Sequence, residues 1–181
     1  ESLIDIDREL SVIVARGING IISSYPPVEN RHSNNILRLT HAPAKLSARE
    51  ILAVTKIAEN ICLKLELIGL LAVEFFITKT GELLVNEIAP RPHNSGHWTM
   101  NGCITSQFEQ HIRAICGLPL GTVDLTHDVA MENLLGDDIN KWQTIVAEPN
   151  AKLHLYGKAT PRAGRKMGHV NRVYPKGTLK F

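Results

Sequence analysis

From Leu70 to Ile88 the chain reads LLAVEFFITKTGELLVNEI, two apolar runs separated by Lys79, Thr80, Gly81 and Glu82. Runs rich in β-branched and aromatic residues, broken by a polar turn with glycine, form an antiparallel hairpin. A two-residue or four-residue loop centred on that turn pairs positions whose numbers sum to 161, which sets Glu74 opposite Glu87. Directly opposed side chains have Cβ atoms about 4.5–5.5 Å apart, and like charges placed there are destabilising. A hard divalent cation such as Mg²⁺ takes carboxylate oxygens and leaves room for phosphate oxygens, so it suits this pair better than a metal that favours thiols or imidazoles. On the residues alone two alternatives stay open. Both carboxylates can point into solvent, and a three-residue loop with a bulge shifts the register by one and separates the pair. On an ideal strand Asn86 points away from the face that carries Glu87.

The rest of the chain supplies partners for this hairpin. In ELSVIVARGINGIISSYPPVE, Leu10, Val12 and Val14 alternate with their neighbours, Asn19-Gly20 signals a turn, and Ile21 and Ile22 resume the run, a second hairpin. Ser47 and Glu50 make a capping box ahead of Ile51, Val54, Ala58, Ile61 and Leu65, which predicts a helix over 47–66. Ser106 and Glu109 repeat the signature ahead of a shorter helix that sets Phe108, Ile112 and Ile115 on one face, with Gly117 as its stop and Pro119 beyond. After Pro119 the texture changes to short segments, DVAMENLLGD, AKLHLYGKA and GHVNRVY, which predict a small β-rich unit. The fold class is α+β.

Composition removes several functions. Twenty basic against 18 acidic residues is too balanced for a general nucleic-acid binder, so any anion site is local. No stretch approaches the roughly 20 apolar residues of a membrane span. Cys62, Cys103 and Cys116 are odd in number, lack C-x-x-C spacing and lie in apolar surroundings, which predicts buried thiols in a reducing, cytoplasmic compartment.

Two polar clusters stand out. RPHNSGH carries Arg91, His93, Asn94 and Ser95, an always-charged fork for phosphate or carboxylate oxygens with neutral donors beside it. His93 and His97 are four apart, but Pro90, Pro92 and Gly96 argue against the helix that would turn them to a shared zinc. Near the end, Lys158, Arg162, Arg165, Lys166 and His169 fall within twelve residues. A basic run is commonly a solvated face, yet Gly157, Gly164 and Gly168 would let backbone N–H groups approach an anion.

Taken together, NEIAPRPHNSGHWT, the AVEFF before it, the TSQFEQHIRAICGLPLG after it and YGKATPRAGRKMGHVN near the end closely resemble one family. These are the ATP-grasp enzymes of purine biosynthesis known as 5-(carboxyamino)imidazole ribonucleotide synthases, together with the ATPase-like part of eukaryotic phosphoribosylaminoimidazole carboxylases. The resemblance covers almost the whole chain. It implies the second half of an ATP-grasp domain, an antiparallel sheet with packed helices over residues 1–120, followed by a small β-rich C-terminal domain over 121–181. It also implies an ATP-dependent carbon–nitrogen ligase. Such an enzyme carboxylates 5-aminoimidazole ribonucleotide with bicarbonate through carboxyphosphate, releasing N5-carboxyaminoimidazole ribonucleotide, ADP and phosphate.

Residue by residue, the resemblance assigns Glu1, Ser2, Leu3 and Ile4 to adenine, Glu9 to ribose, and His32, Asn86 and Glu87 to further ATP contacts. It makes Glu74 and Glu87 the Mg²⁺ ligands, the pair that the hairpin register singles out. Arg91, His93, Asn94 and Lys166 fall in the catalytic pocket, and Ser95, Tyr156, Lys158 and Arg165 on the wall for the ribonucleotide and its phosphate. For the intact enzyme it implies a cytoplasmic homodimer acting on ATP, bicarbonate and 5-aminoimidazole ribonucleotide, with no nucleic-acid or membrane partner. The family's upstream domain, which contributes to the ribonucleotide site, and the ATP-grasp subdomain whose lysines and glycine-rich loop cover the phosphates have no counterpart here, so the chain is expected to be a fragment inactive alone. Two other readings are another ATP-grasp ligase, such as a biotin carboxylase or a formate-using transformylase, and a non-catalytic nucleotide-binding module.

Overall fold

The structure is a computed structural model that describes residues 3–180; Glu1 and Ser2, assigned above to adenine, lie outside the described residues. The strands are β1 (Ile6–Arg16), β2 (Ile22–Ser24), β3 (Val28–Ser33), β4 (Ile36–Ala42), β5 (Gly69–Thr78), β6 (Leu83–Ala89), β7 (His127–Leu135), β8 (Ala151–Leu155) and β9 (Lys166–Pro175). The helices are α1 (Ala48–Lys64), α2 (Thr99–Gly102), α3 (Gln107–Ile115) and α4 (Trp142–Val146). Among the described residues all nine strands join one antiparallel sheet of order β6-β5-β1-β3-β4-β7-β9-β8, with β2 also paired to β1.

β1 lies between β3 and β5 and is buried on both faces from Leu10 to Ala15. Leu10, Val12 and Val14 join Leu71, Val73 and Phe75 of β5 under Val54, Ala58 and Cys62 of α1. Each such large side chain stabilises the fold by roughly 1.5–3 kcal/mol as an upper estimate. The intervening residues face the other way: Ile13, Ala15, Leu70 and Ala72 pack with Tyr25, Trp98 and Met131 in a second core. By strand alternation Ser11 and Glu74, which are register partners, continue that second face. The polar cleft therefore opens on the side of the sheet away from α1.

α1 begins as its sequence requires. Ser47 Oγ accepts from the Glu50 N–H, and the Glu50 carboxylate accepts from the Ser47 N–H at 2.7 Å. α3 shares the N-cap, with Ser106 Oγ accepting from the Glu109 N–H, but the Glu109 carboxylate turns to Arg113 at 2.8 Å and leaves the box open. Its apolar face is also reversed from expectation. Phe108, Ile112 and Ile115 are exposed, while Gln107 and Gln110 are buried completely. Their amides explain this. Gln110 bonds both backbone groups of Gly121 at 2.8 Å, and Gln107 bonds the backbone of His93, so specific partners outweigh helix periodicity.

Residues 121–181 contribute β7, β8 and β9, whose Leu134 and Val170 meet Ile145 of α4 in a small cluster. β7 also pairs with β4, from Leu39↔Glu132 to Ala42↔Val129, so the sheet runs on across position 120. Cys62 and Cys103 are buried, but Cys116 caps the solvent-facing end of α3 and is exposed. Among the described residues, no helix is long and apolar enough to cross a membrane.

Candidate active site

The β5–β6 hairpin builds the acidic wall by a route that differs from the simplest reading. Its loop holds three residues, closed by the Thr78 N–H to the Glu82 carbonyl at 2.9 Å, with Gly81 at φ +83° in a conformation that few other residues adopt. Near the loop the paired numbers accordingly sum to 160, as in Phe75↔Val85. Asn86 then has no partner. This bulge restores the other register, and Glu74 does face Glu87. A bulge turns two successive side chains toward the same face, so Asn86 enters the cleft beside Glu87 and hydrogen-bonds Glu74, against the strict alternation expected for it.

Glu74, Glu87 and His93 each offer one ligand atom within 4.8 Å of the others. Burial, and next the Glu87 charge, raises the Glu74 pKa, while His32 and the Asn86 hydrogen bond oppose the rise. Two opposed carboxylates, one of them half-buried, form a donor set that a divalent cation would relieve. His93 is buried, with Nε2 3.3 Å from Glu74 Oε1. Burial first, then Arg91 and Lys166, lowers its pKa to about 4, so the ring is neutral at pH 7 and the Glu74 contact is a polar one between a neutral ring and a carboxylate.

The opposite wall comes from the segment between β8 and β9 and from the first residue of β9. Lys158 and Lys166 line the same cleft of about 750 Å³, and Lys158 Nζ donates to the Lys166 carbonyl at 2.6 Å. Burial, then Arg91 and Lys158, lowers the Lys166 pKa, with Glu74 opposing. Arg91 and Asn94 complete the floor. Both polar side-chain atoms of Asn94 are buried without a protein partner, as befits an amide reserved for a ligand.

Of the other expected residues, Glu9 and His32 enter the cleft and meet at 2.5 Å between Oε2 and Nδ1. Leu3 and Ile4 stand apart, in a depression at the hairpin tip with Thr78 and Leu84. Ser95 is fully buried behind His93, bonded to its Nδ1 at 2.8 Å, and does not line the cleft. Tyr156 and Arg165 also lie off it. Tyr156 Oη bonds His169 Nδ1 at 2.8 Å, and Arg165 donates to the Thr160 carbonyl at 2.9 Å. His97 is not in the carboxylate cluster: its Nδ1 accepts from Gln107 at 2.9 Å, and its ring stacks on Phe108 and lies tilted against His169. An apolar strip of Ile6, Ile36, Leu37 and Phe76 lines the cleft and was not singled out in the sequence. The signal for half of it was present, since Asn34 and Asn35, both at positive φ, form the tight turn that joins β3 to β4.

This fold and cleft define the class: residues 1–108 match the ATP-grasp domain model, and the chain belongs to that family. Residues 129–177 match the phosphoribosylaminoimidazole carboxylase C-terminal domain. The chain is 50% identical over 176 residues to the N5-carboxyaminoimidazole ribonucleotide synthase of Brucella melitensis, covering 97% of this chain and 49% of the relative. It is 51% identical over 174 residues to that of Bacillus subtilis, covering 94% and 45%. It superposes with a TM-score of 0.88 and 33% identity on the Aspergillus clavatus synthase solved with ADP and 5-aminoimidazole ribonucleotide, over 96% of this chain and 48% of that one. The chain thus spans about half the length of the curated relatives it matches.

Proposed function

We propose that this chain is the metal- and substrate-binding part of an ATP-dependent ligase that carboxylates 5-aminoimidazole ribonucleotide. The observation that carries the reading is the juxtaposition of Glu74 and Glu87 with Lys158, Lys166 and Arg91 around one cleft. Glu74 and Glu87 would hold Mg²⁺, which supplies charge neutralisation at the nucleotide phosphates. Glu9, His32 and Asn86 serve the nucleotide. Arg91 and Lys166 bind and orient the anionic reactants as a bicarbonate oxygen attacks the terminal phosphorus of ATP and ADP departs. The aminoimidazole nitrogen then attacks the carbonyl carbon of carboxyphosphate, phosphate leaves, and the nitrogen gives up its proton. Asn94 supplies a neutral donor and acceptor to the same intermediate. The short life of carboxyphosphate demands exclusion of water, which a cleft between residues 1–120 and 121–181 favours once a covering domain closes it. In its full-length form we read the protein as a cytoplasmic homodimer, and the 181-residue chain alone as unable to turn over.

The test is ADP release by a chain of the relatives' full length that carries this segment. The reading expects release to require bicarbonate, 5-aminoimidazole ribonucleotide and Mg²⁺ together. Release driven by biotin or formate in place of the ribonucleotide would move the protein to another ATP-grasp ligase, and no release at all would leave a binding module.

A further inference from the structure

Behind His93 runs a line of buried polar side chains that the reaction does not touch. Thr40, Asn30, Ser11 and Ser95 are each at most 4% exposed, and they come from β4, β3, β1 and the loop after β6. Each hydrogen bond along the line has a direction. Thr40 Oγ1 donates to Asn30 Oδ1 at 2.9 Å, which leaves the Asn30 amide NH₂ to donate to Ser11 Oγ at 3.0 Å. Ser11 Oγ donates to Ser95 Oγ at 2.7 Å. The Ser95 backbone N–H points at His93 Nδ1 at 3.4 Å, and because that group can only donate, Nδ1 is the accepting nitrogen. The Ser95 hydroxyl proton joins it at 2.8 Å. The ring proton therefore sits on Nε2, 3.3 Å from Glu74 Oε1. Running the line backwards would set an Nδ1–H against the Ser95 N–H and point the Ser11 proton at the Asn30 NH₂.

We infer that Thr40, Asn30, Ser11 and Ser95 are positioning residues that hold His93 as its Nε2–H tautomer, so that beside the carboxylate pair His93 presents a hydrogen-bond donor and no ligand lone pair. Two carboxylates and an imidazole within 4.8 Å would otherwise make a site suited to transition metals. With the Nε2 lone pair occupied by a proton, the carboxylates remain, and these suit a hard, oxygen-seeking cation. The donor is aimed at Glu74 and at any anionic oxygen held beside it. This inference takes Glu74 and Glu87 as the cation pair of the reading above, but its test needs neither nucleotide nor metal.

The test is long-range proton–nitrogen correlation NMR on the metal-free 181-residue chain at neutral pH, which shows which ring nitrogen carries the proton. His93→Gln assigns the signal. The wild type is expected to show a single Nε2–H form of His93. Ser95→Ala keeps the long backbone N–H contact at 3.4 Å but removes the hydroxyl at 2.8 Å, so it should shift His93 from a single form to a mixture in which Nε2–H still leads, and Ser11→Ala should shift it less, while the signals of His97 and His169 stay in place as the check on packing. A wild type with its proton on Nδ1, or already mixed, would overturn the tautomer. An unchanged Nε2–H form in both variants would overturn the role of the hydroxyls. Either result leaves the ADP-release assay of the ligase reading untouched, so the two can fail separately.

Discussion

The two charged walls of the cleft are built on different supports. The acidic wall hangs on a strand ladder: Glu74 is fixed by pairing with Ser11 on one side and Glu87 on the other, within an unbroken run of β1–β5 partners from Arg8↔Ile77 to Arg16↔Gly69. The basic wall has less ladder beneath it: Lys158 lies outside the strands, between β8 and β9, and Lys166 is only the first residue of β9. This wall is tied by the Lys158 bond to the Lys166 carbonyl, by the cation of Lys158 5.5 Å from the Tyr156 ring centre, and by the bond from Tyr156 to His169. His169 in turn stacks on His154 at 4.5 Å between ring centres and lies tilted against His97 at 4.9 Å. A ladder holds side chains through backbone bonds that no titration changes, whereas a histidine stack holds only while its rings are neutral.

Acid should separate the walls most sharply. Burial first, then neighbouring histidines, lowers the pKa of His97 to about 4 and of His169 to about 3, and His93 is also near 4. The unfolded chain takes up these protons near pH 6.5, so it binds more of them than the folded chain in the window below that value. Stability is then full above pH 6.5 and falls as pH drops toward 4 for His93 and His97 and toward 3 for His169, by on the order of 1–3 kcal/mol for each buried ring. The raised pKa of Glu74 contributes with the opposite sign, since lowering pH through it removes a buried charge. Hydrogen exchange at pH 5 should show β8 and β9 losing protection before β1 and β5. Equal loss in both would erase the distinction between the walls.

On turnover the acidic wall should matter more. In a full-length chain, Glu87→Gln is expected to cut Mg²⁺-dependent ADP release by about 10²–10³-fold, the scale of removing one preorganised electrostatic group. Glu82→Gln, exposed near the hairpin tip, serves as control and should be silent. Lys166→Met should cost about 10–100-fold, as one charged hydrogen bond is removed while Arg91 and Lys158 remain. Lys166→Met costing more than Glu87→Gln would reverse the ranking. The smallest effect is on stability. Metal-free Glu87→Gln should unfold with roughly 0.2–1 kcal/mol greater stability, because the repulsion across the ladder is relieved, and Glu82→Gln should not. Thermal unfolding of the two variants side by side reads the difference.

These contrasts also mark what the sequence made legible. The facing glutamates were readable because strand pairing is arithmetic, although the arithmetic worked through two compensating departures: a three-residue loop shifts the register and the bulge at Asn86 shifts it back. Nothing local in VNEI announces that bulge, so strand alternation turned Asn86 away from the cleft and only the family resemblance set it among the ATP contacts. α1 and α3 make the same point for helices. Capping residues marked both starts, but the side that α3 buries was set by what Gln107 and Gln110 find across the fold, information that lies at His93 and Gly121. Ser11 and Asn30 were invisible for a similar reason: a lone serine in a strand acquires meaning only through a neighbour 84 positions away. The basic wall was legible only through the family resemblance, because its spacing alone is equally that of a solvated loop.

The most direct measurement is the position of a bound divalent ion. A crystal of the chain grown with Mn²⁺ and ADP should give one anomalous peak between the Glu74 and Glu87 carboxylates, with His93 Nε2 outside the coordination shell, and the peak should be lost in the doubly substituted Glu74→Gln, Glu87→Gln chain. A wild-type crystal with no ion between these carboxylates, or with its ion on Glu9 and His32 instead, would contradict the cation site on which the ligase reading rests.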